Sequence, residues 1–217
     1  MPGPSRFERC MMTDAQPKPV NQKIRFWVVR LAFLASLPLI FLSQSAWAGN
    51  AVMHPLLKSL GALLIVAAVL YRGWAILYIG GRKNQSVVQD GPYSMSRHPL
   101  YFGTTLGAFG FGLLLGSIVL AVLFGALTLI IFTATSSGEE RFLRAEFGDA
   151  YDRFAERVPN RILPRASGFQ TPQTVTFNAR ILRTNFSDAL GFLACFPIAE
   201  ALEAMKLAGV LGRFAIY

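Results

Sequence analysis

Residues 100–136 read LYFGTTLGAFGFGLLLGSIVLAVLFGALTLIIFTATS and contain no charged side chain. A helix rises about 1.5 Å per residue, so a run of this length is about twice as long as one crossing of a hydrocarbon core of roughly 30 Å requires. Gly116-Ser117 lies near the middle of the run and is a typical turn signal. The run therefore predicts a helical hairpin whose two arms cross a membrane.

The composition of the whole chain agrees with a membrane protein. The 217 residues are 53% hydrophobic and 15% charged, whereas soluble domains carry about 25% charged residues. The 21 basic and 12 acidic side chains are too few to cover an apolar core of this size. These values argue against a soluble enzyme, a disordered chain and a disulfide-stapled secreted domain. Cys10 and Cys195 fit no metal or redox spacing and are expected to be free thiols.

The first apolar stretch, residues 26–48, is long enough to cross the bilayer. Arg30 lies near one end, where its side chain can reach the headgroups. The triplet Ala46-Trp47-Ala48 also resembles the cleavage site of a signal peptide. Both the apolar run and the polar region before it are longer than signal peptides usually have, so we expect a retained first span.

The second apolar stretch, residues 56–80, contains Arg72. An arginine inside a span either snorkels to the nearer surface or faces the interior of the helix bundle, and the sequence leaves both open. A last stretch, residues 189–211, is interrupted by Glu200, Glu203 and Lys206. It is expected to be a fifth span with paired charges or a helix lying partly in the interface. Its three charged residues match no functional motif and are expected to be structural.

The basic residues predict which side of the membrane each polar segment occupies. Residues 1–24, 81–98 and 137–166 are basic, whereas the turn at 49–54 and the turn at 116–117 contain no Lys or Arg. By the positive-inside rule, the amino terminus and the ends of the second and fourth helices are cytoplasmic. The net charge of +9 is thus explained by membrane orientation, and no nucleic-acid partner is expected. The segments 81–98 and 137–166 should meet on one face.

Residues 139–158 return to the pattern of a helix exposed to water on one side. Apolar residues recur there at spacings of four, four, three and four, which predicts an amphipathic helix. Gly148 is a point at which this helix can bend or break. The apolar positions are Leu143, Phe147, Tyr151, Phe154 and Val158.

These patterns predict an all-α, polytopic membrane bundle of four to five spans, with a helical hairpin and a cytoplasmic amphipathic helix. Residues 1–24 are expected to be a flexible cytoplasmic tail, and residues 25–80 the first two transmembrane helices. Residues 81–166 would form the functional core. Residues 167–217 would form a loop and a carboxy-terminal membrane or interfacial helix.

The two cytoplasmic segments carry side chains that could form a polar pocket at the membrane rim. Arg97-His98 immediately precedes the hairpin and Glu139-Glu140 follows it, so closing the hairpin brings these pairs together. Taken singly, Arg97-His98 could be interfacial anchors, and Glu139-Glu140 could be first-turn acids that favour a helix dipole. Together they suit a charged soluble cofactor that reacts with a membrane-borne substrate.

Five short motifs follow one another from Gly91 to about Pro164. They are Gly91-Pro92-Tyr93, then Arg97-His98-Pro99 with Tyr101 and Gly103, then Glu139-Glu140, Phe147-Gly148 with Tyr151, and Val158-Pro159. In this order and around a hairpin, they resemble the integral-membrane methyltransferases that include isoprenylcysteine carboxyl methyltransferase and the phospholipid N-methyltransferases. The resemblance covers roughly a third of the chain.

The resemblance implies a multi-pass membrane methyltransferase, in the inner membrane if the source is bacterial. S-adenosylmethionine would bind at the cytoplasmic ends of the helices, and a membrane lipid or another lipophilic or small acceptor would enter from the bilayer. No metal is implied. Transfer from a sulfonium needs mainly in-line positioning and desolvation, so a strong base is optional. Catalytic roles fall to Arg97, Glu139 and Glu140. The cofactor site would be lined by Gly91, Pro92, Tyr93, His98, Tyr101, Gly103 and Glu139.

One position departs from the family pattern. Members that act on prenylated cysteine carboxylates commonly carry an arginine one helical turn before the Glu pair, where this chain has Thr135. No Lys or Arg lies between Arg97 and Arg141. We therefore expect a neutral, amine, thiol or phenol acceptor. Two alternatives to the methyltransferase are a non-catalytic membrane subunit that keeps the fold and a sterol-reductase-like enzyme that uses NADPH.

Overall fold

The structure is a computed structural model that describes residues 22–79, 87–175, 177, 179–212 and 214–217. Apart from two three-residue strands, the regular secondary structure of the described residues is helical, which confirms the all-α prediction. Most of the predicted amino-terminal tail lies outside the described residues. The helices are α1 (Gln22–Leu42), α2 (Met53–Ile79), α3 (Pro92–Met95), α4 (Pro99–Leu114), α5 (Ile118–Phe147), α6 (Asp149–Arg157), α7 (Ala179–Leu190) and α8 (Cys195–Leu207). Two 3-10 turns lie at Ala166–Gly168 and Gly191–Ala194, and the parallel strands are β1 (Ser43–Ser45) and β2 (Phe214–Ile216).

Two helices of the described chain are long and apolar enough to cross a membrane. They are α2, with 27 residues, and α5, with 30. Helix α4 has 16 residues and packs against both of them. Helix α8 has 13 residues, about 20 Å, and is too short to cross the hydrocarbon core alone. The number of four to five spans stays a prediction.

The predicted helical hairpin is present as α4 and α5. The connection is a tight turn in which Gly116 has a φ of +74°, and Ser117 caps α5 by accepting a hydrogen bond from Leu120 N at 3.2 Å. A Cβ atom at Gly112 would overlap the backbone of Ala121, so the two arms approach through their main chains. The structure thus confirms the predicted turn, and Gly112 is the position at which the two arms come closest to Ala121.

Three boundaries differ from the prediction. Helix α1 ends at Leu42, six residues early, because residues 43–45 pair with β2. The predicted amphipathic helix is divided at Gly148, where φ is +50°, so that its first part continues α5 and its second part is α6. Helix α7 begins at Ala179, inside a segment for which loop structure was expected.

Charged residues hold α8 against α2 at the end of the bundle away from the hairpin's polar segments. Nζ of Lys58 lies 2.8 Å from Glu200 and 2.5 Å from Glu203, and Nε2 of His54 lies 2.9 Å from Glu203. Glu203 is thereby held by two side chains of α2, Lys58 and His54. The expected structural role of Glu200 and Glu203 agrees with these contacts, and Lys206 lines a neighbouring cavity of 170 Å³.

Candidate functional site

The two polar segments meet at the ends of α4 and α5, as the hairpin prediction required. Residues 158–170 run beside residues 91–98 and join them through backbone hydrogen bonds. His98 N donates to Arg161 O at 2.9 Å, and Gly91 N donates to Gln170 O at 2.7 Å. The loop after α6 is therefore part of the site, although the motifs before it carry most of the predicted residues.

Glu140 is the centre of the ion-pair cluster. Its side chain is only 6% exposed, and its Oε1 lies 3.2 Å from Nε of Arg97, 3.3 Å from Nε2 of His98 and 3.1 Å from Nε of Arg161. Nη2 of Arg161 also donates to Oε2 at 3.2 Å. One carboxylate thus holds three basic groups from two separate segments.

The ionised form of Glu140 is favoured by its neighbours. Glu140 lies beyond the apolar part of α5, which ends near Ser136. Burial alone would raise the pKa of this carboxyl, but the hydrogen bond from His98 and the charges of Arg97 and Arg161 hold it below its ordinary value. Glu140 is therefore a fixed anion at neutral pH and is poorly suited to take up a proton.

His98 lies between the two glutamates. Because its Nε2 faces a carboxylate oxygen of Glu140, Nε2 must carry a proton to make this contact. Its Nδ1 lies 3.7 Å from Oε2 of Glu139, which is an ion-pair distance and too long for a hydrogen bond. Glu139, with 26% of its side chain exposed, is the more accessible carboxylate of the pair.

A stack of three rings fixes the other side of His98. The imidazole lies parallel to the ring of Tyr101, with centroids 5.3 Å apart, and Tyr101 stacks on Phe132 of α5 at 4.5 Å. The stack ties the beginning of α4 to α5 about two helical turns before the glutamates. It leaves the imidazole little freedom to rotate away from Glu140.

Tyr93 supplies a buried hydroxyl for which the described residues offer no hydrogen-bond partner. Burial raises the pKa of Tyr93 above its ordinary value, and nearby Tyr71 and Glu139 raise it further, so this group stays protonated. A buried polar atom without a protein partner calls for a bound polar group or water. Tyr93 and Glu139 therefore fit a site that a polar ligand completes.

The two predicted cofactor glycines contact helix α2. Gly91 has a φ of +60°, and a Cβ there would overlap the ring of Tyr78. A Cβ at Gly103 would lie 2.6 Å from Cγ of Arg72. Pro92 is fully buried at the first turn of α3. These residues shape the wall of the site where it meets α2.

Arg72 faces the bundle interior, which decides between the two readings that the sequence left open. Its Nη1 donates to the hydroxyl of Thr104 and, at 3.4 Å, to the carbonyl of Leu100. Its guanidinium lies 5.4 Å from the centroid of the Phe192 ring. The space that Gly103 leaves allows this arrangement, and Arg72 thereby becomes a neighbour of Tyr93.

Sequence reasoning missed Arg161 as a site residue. In the sequence it is one of six basic residues in the segment 137–166 and served only to predict orientation. Its Nη1 donates to Ser137 at 3.0 Å, in addition to its two contacts with Glu140. No pattern in the sequence singles it out, since it is 21 residues from Glu140 and follows the break at Gly148. Within the described residues, no group of His, Cys, Asp or Glu is arranged to hold a metal ion.

Comparison with known proteins identifies relatives of two kinds. The phospholipid methyltransferase family matches residues 46–150. "Cobalt-zinc-cadmium resistance protein CzcN" of Cupriavidus metallidurans is 34% identical over 88% of this chain and 86% of its own. "Nickel-cobalt-cadmium resistance protein NccN" of Alcaligenes xylosoxydans xylosoxydans is 30% identical over 93% of this chain and 95% of its own. Protein-S-isoprenylcysteine O-methyltransferase of Schizosaccharomyces pombe is 33% identical over 48% of this chain and 45% of its own. No solved structure matches the chain.

Proposed function

Because the chain belongs to the integral-membrane methyltransferase family that includes the phospholipid and isoprenylcysteine enzymes, we propose that it transfers a methyl group from S-adenosylmethionine to a lipophilic or small acceptor. The observation that carries the proposal is the junction of His98, Glu139 and Glu140 beside the unpartnered hydroxyl of Tyr93. This junction lies where two apolar helices end, so a water-soluble donor and a membrane-borne acceptor can both reach it.

The residues at this junction suit the groups of the proposed cofactor. Bound there, S-adenosylmethionine would supply a methyl group already activated on a sulfonium. Glu139 can accept hydrogen bonds from an amino group or ribose hydroxyls, and the protonated Tyr93 can donate one. The face of the His98 ring turned away from Tyr101 is a flat surface against which an adenine can pack, and Tyr101, stacked between His98 and Phe132, supports that ring from behind. Gly91, Pro92 and Gly103 complete the wall.

We assign different parts to the three proposed catalytic residues. Glu140 and Arg97 form a buried ion pair that fixes the imidazole of His98 and excludes water from that side. Glu139 is more exposed and is the group of the pair that can contact a reactant. Because methyl transfer from a sulfonium depends mostly on in-line positioning, this fixed arrangement can support the reaction without a strong base.

The acceptor is proposed to be uncharged or to carry an amine, thiol or phenol. The hydroxyl of Thr135 donates to Ile131 O at 2.8 Å within its own helix, and no positive charge lies at that position. Arg97 and Arg161 already pair with Glu140. A carboxylate acceptor held here would lack a cationic partner, which is costly in a desolvated site.

Two further parts of the proposal rest on the relatives and on charge. The two relatives that match over most of their length are named for resistance to cobalt, nickel, zinc or cadmium, which favours a resistance-associated role for the methylated product. The distribution of Lys and Arg favours a multi-pass protein with a cytoplasmic amino terminus, in the inner membrane if the source is bacterial.

The test is incorporation of label from methyl-labelled S-adenosylmethionine. Membranes containing the protein are incubated with the labelled donor, and the lipid, protein and volatile fractions are counted separately. We expect label in one fraction, its loss with Glu139→Gln, and its retention with Glu146→Gln, an exposed glutamate seven residues further along α5. No label above empty membranes, together with no binding of S-adenosylhomocysteine, would contradict the proposal.

A further inference from the structure

Arg161 connects three segments that are separate in the sequence. Its Nε and Nη2 contact the two oxygens of Glu140 at 3.1 and 3.2 Å, and its Nη1 donates to Ser137 at 3.0 Å. Its carbonyl accepts the hydrogen bond from the backbone N–H of His98 at 2.9 Å. The loop after α6 is thereby attached to the end of α5 and to the beginning of α4.

The contact between Arg161 and Glu140 sets the direction of the carboxylate. A guanidinium that meets both oxygens of a carboxylate fixes its plane as well as its distance. Oε1 of Glu140, held in this way, is the atom that contacts Arg97 and His98. Rotation of the Glu140 side chain would break these contacts. Because Arg161 prevents this rotation, the position of the His98 imidazole depends on Arg161, although these two residues contact each other through the backbone.

The guanidinium of Arg161 is committed to protein groups. All three of its nitrogens contact Glu140 or Ser137, and the residue belongs to a loop that follows the polar edge of the site. We infer that Arg161 is a positioning residue of the methyl-transfer site, which orients Glu140 and through it His98 and Arg97. The role of Arg161 in methyl transfer rests on the proposed function, whereas its contacts with Glu140 and Ser137 do not.

A lysine at position 161 should not replace the arginine fully. An ammonium is a compact charge and cannot meet both carboxylate oxygens and Ser137 in one plane. Arg161→Lys keeps the charge and loses the geometry, and Arg161→Gln loses both. Arg165→Gln is the matched control, because Arg165 is exposed in the same loop and its Nε donates to Ser167 at 2.9 Å, away from Glu140 and His98.

The contacts of Arg161 can be tested without cofactor by following the ring resonances of the histidines. The chain contains only two histidines, so each resonance can be assigned. The full-length protein is labelled with ¹⁵N-histidine in detergent, and the ring resonances of His98 and His54 are assigned by substitution. Arg161→Gln should move the His98 resonances and leave those of His54 in place, since His54 contacts Glu203 at the other end of the bundle. Arg161→Lys should move them less, and Arg165→Gln should move neither. Unchanged His98 resonances in Arg161→Gln would overturn the inference.

A second measurement separates positioning from a purely structural role. Arg161→Gln should weaken binding of S-adenosylhomocysteine about tenfold, the effect of disturbing one charge-assisted contact. Affinity within twofold of wild type, despite moved His98 resonances, would overturn the positioning role. Failure of the wild-type protein to bind would count against the proposed function, and the His98 resonances would still decide the arrangement.

Discussion

Nε2 of His98 lies 3.3 Å from Oε1 of Glu140, although 42 residues separate them in the chain. Nearly all of the intervening residues belong to the α4–α5 hairpin, which returns the chain to the end of the bundle from which it started and so brings His98 and Glu140 together. The hairpin therefore acts as the scaffold of the candidate site, and the predictions below test this scaffold and the groups that it brings together.

The first prediction concerns topology. Reporters fused after residue 50 or residue 117 should be found on the non-cytoplasmic side, and reporters after residue 90 or residue 160 on the cytoplasmic side. The reason is the concentration of Lys and Arg in the segments 81–98 and 137–166. Alkaline phosphatase and green fluorescent protein fusions provide the measurement. A cytoplasmic reporter after residue 117 would contradict a membrane-crossing hairpin.

The second prediction concerns cofactor binding. His98→Ala and Glu139→Ala should each weaken binding of S-adenosylhomocysteine by about 10- to 150-fold, because a charge-assisted hydrogen bond contributes about 1.5–3 kcal/mol. Membrane insertion should be unchanged, since both residues lie beyond the apolar parts of the helices. Glu146→Ala is the control, and isothermal titration in detergent is the measurement. Wild-type affinity in both variants would exclude the pocket.

The third prediction concerns the Tyr93 hydroxyl. Tyr93→Phe should leave the melting temperature of the ligand-free protein unchanged or slightly higher, because the removed hydroxyl is buried and the described residues offer it no partner. The same substitution should weaken binding of S-adenosylhomocysteine about fivefold to tenfold. Tyr78→Phe removes an exposed hydroxyl bonded to Thr171 and should not affect binding. A large loss of stability in Tyr93→Phe would show that the hydroxyl serves the fold.

The fourth prediction concerns pH. Glu140→Gln should destabilise the protein by about 3–5 kcal/mol near neutral pH, because it leaves buried cations without their anion. The pKa of Glu140 is depressed in the folded state, so its contribution is present above the unfolded-state value and is lost as the pH falls through the folded-state value. The difference in stability from wild type should stay constant between pH 7 and about pH 5 and shrink in stronger acid. Urea titrations at each pH measure this difference in stability. A difference that already shrinks above pH 5 would show that the neighbouring cations do not depress the pKa of Glu140.

The fifth prediction concerns the acceptor. The wild-type protein should methylate an N-acetyl farnesyl-cysteine substrate poorly, and Thr135→Arg should raise this turnover by supplying a partner for the carboxylate. Thr133→Arg adds the same charge at an exposed position of α5 and should not raise it. Transfer of labelled methyl groups is the measurement. Brisk methylation of this substrate by the unmodified protein would show that the acceptor proposal is wrong.

The hairpin, its turn and the meeting of Arg97-His98 with Glu139-Glu140 could be predicted from sequence. Each depends on local properties, namely the length of an uncharged run and the residues at its two ends. The same local reasoning could not predict that α1 ends at Leu42, because β1 forms by pairing with β2, more than 150 residues away.

Hydrophobicity and motif order are properties of the chain itself, and they suffice to identify an α-helical membrane protein with the ordered motifs of a methyltransferase family. The folded structure was needed to show that Arg72 turns inward toward Thr104, and that Arg161 completes the cluster around Glu140. Both outcomes depend on neighbours from other segments: the space above Gly103 for Arg72, and the hydrogen bonds to residues 91–98 for Arg161. A charged side chain in a bundle adopts the position in which its charge is best compensated, and those compensating groups come together only when the chain folds.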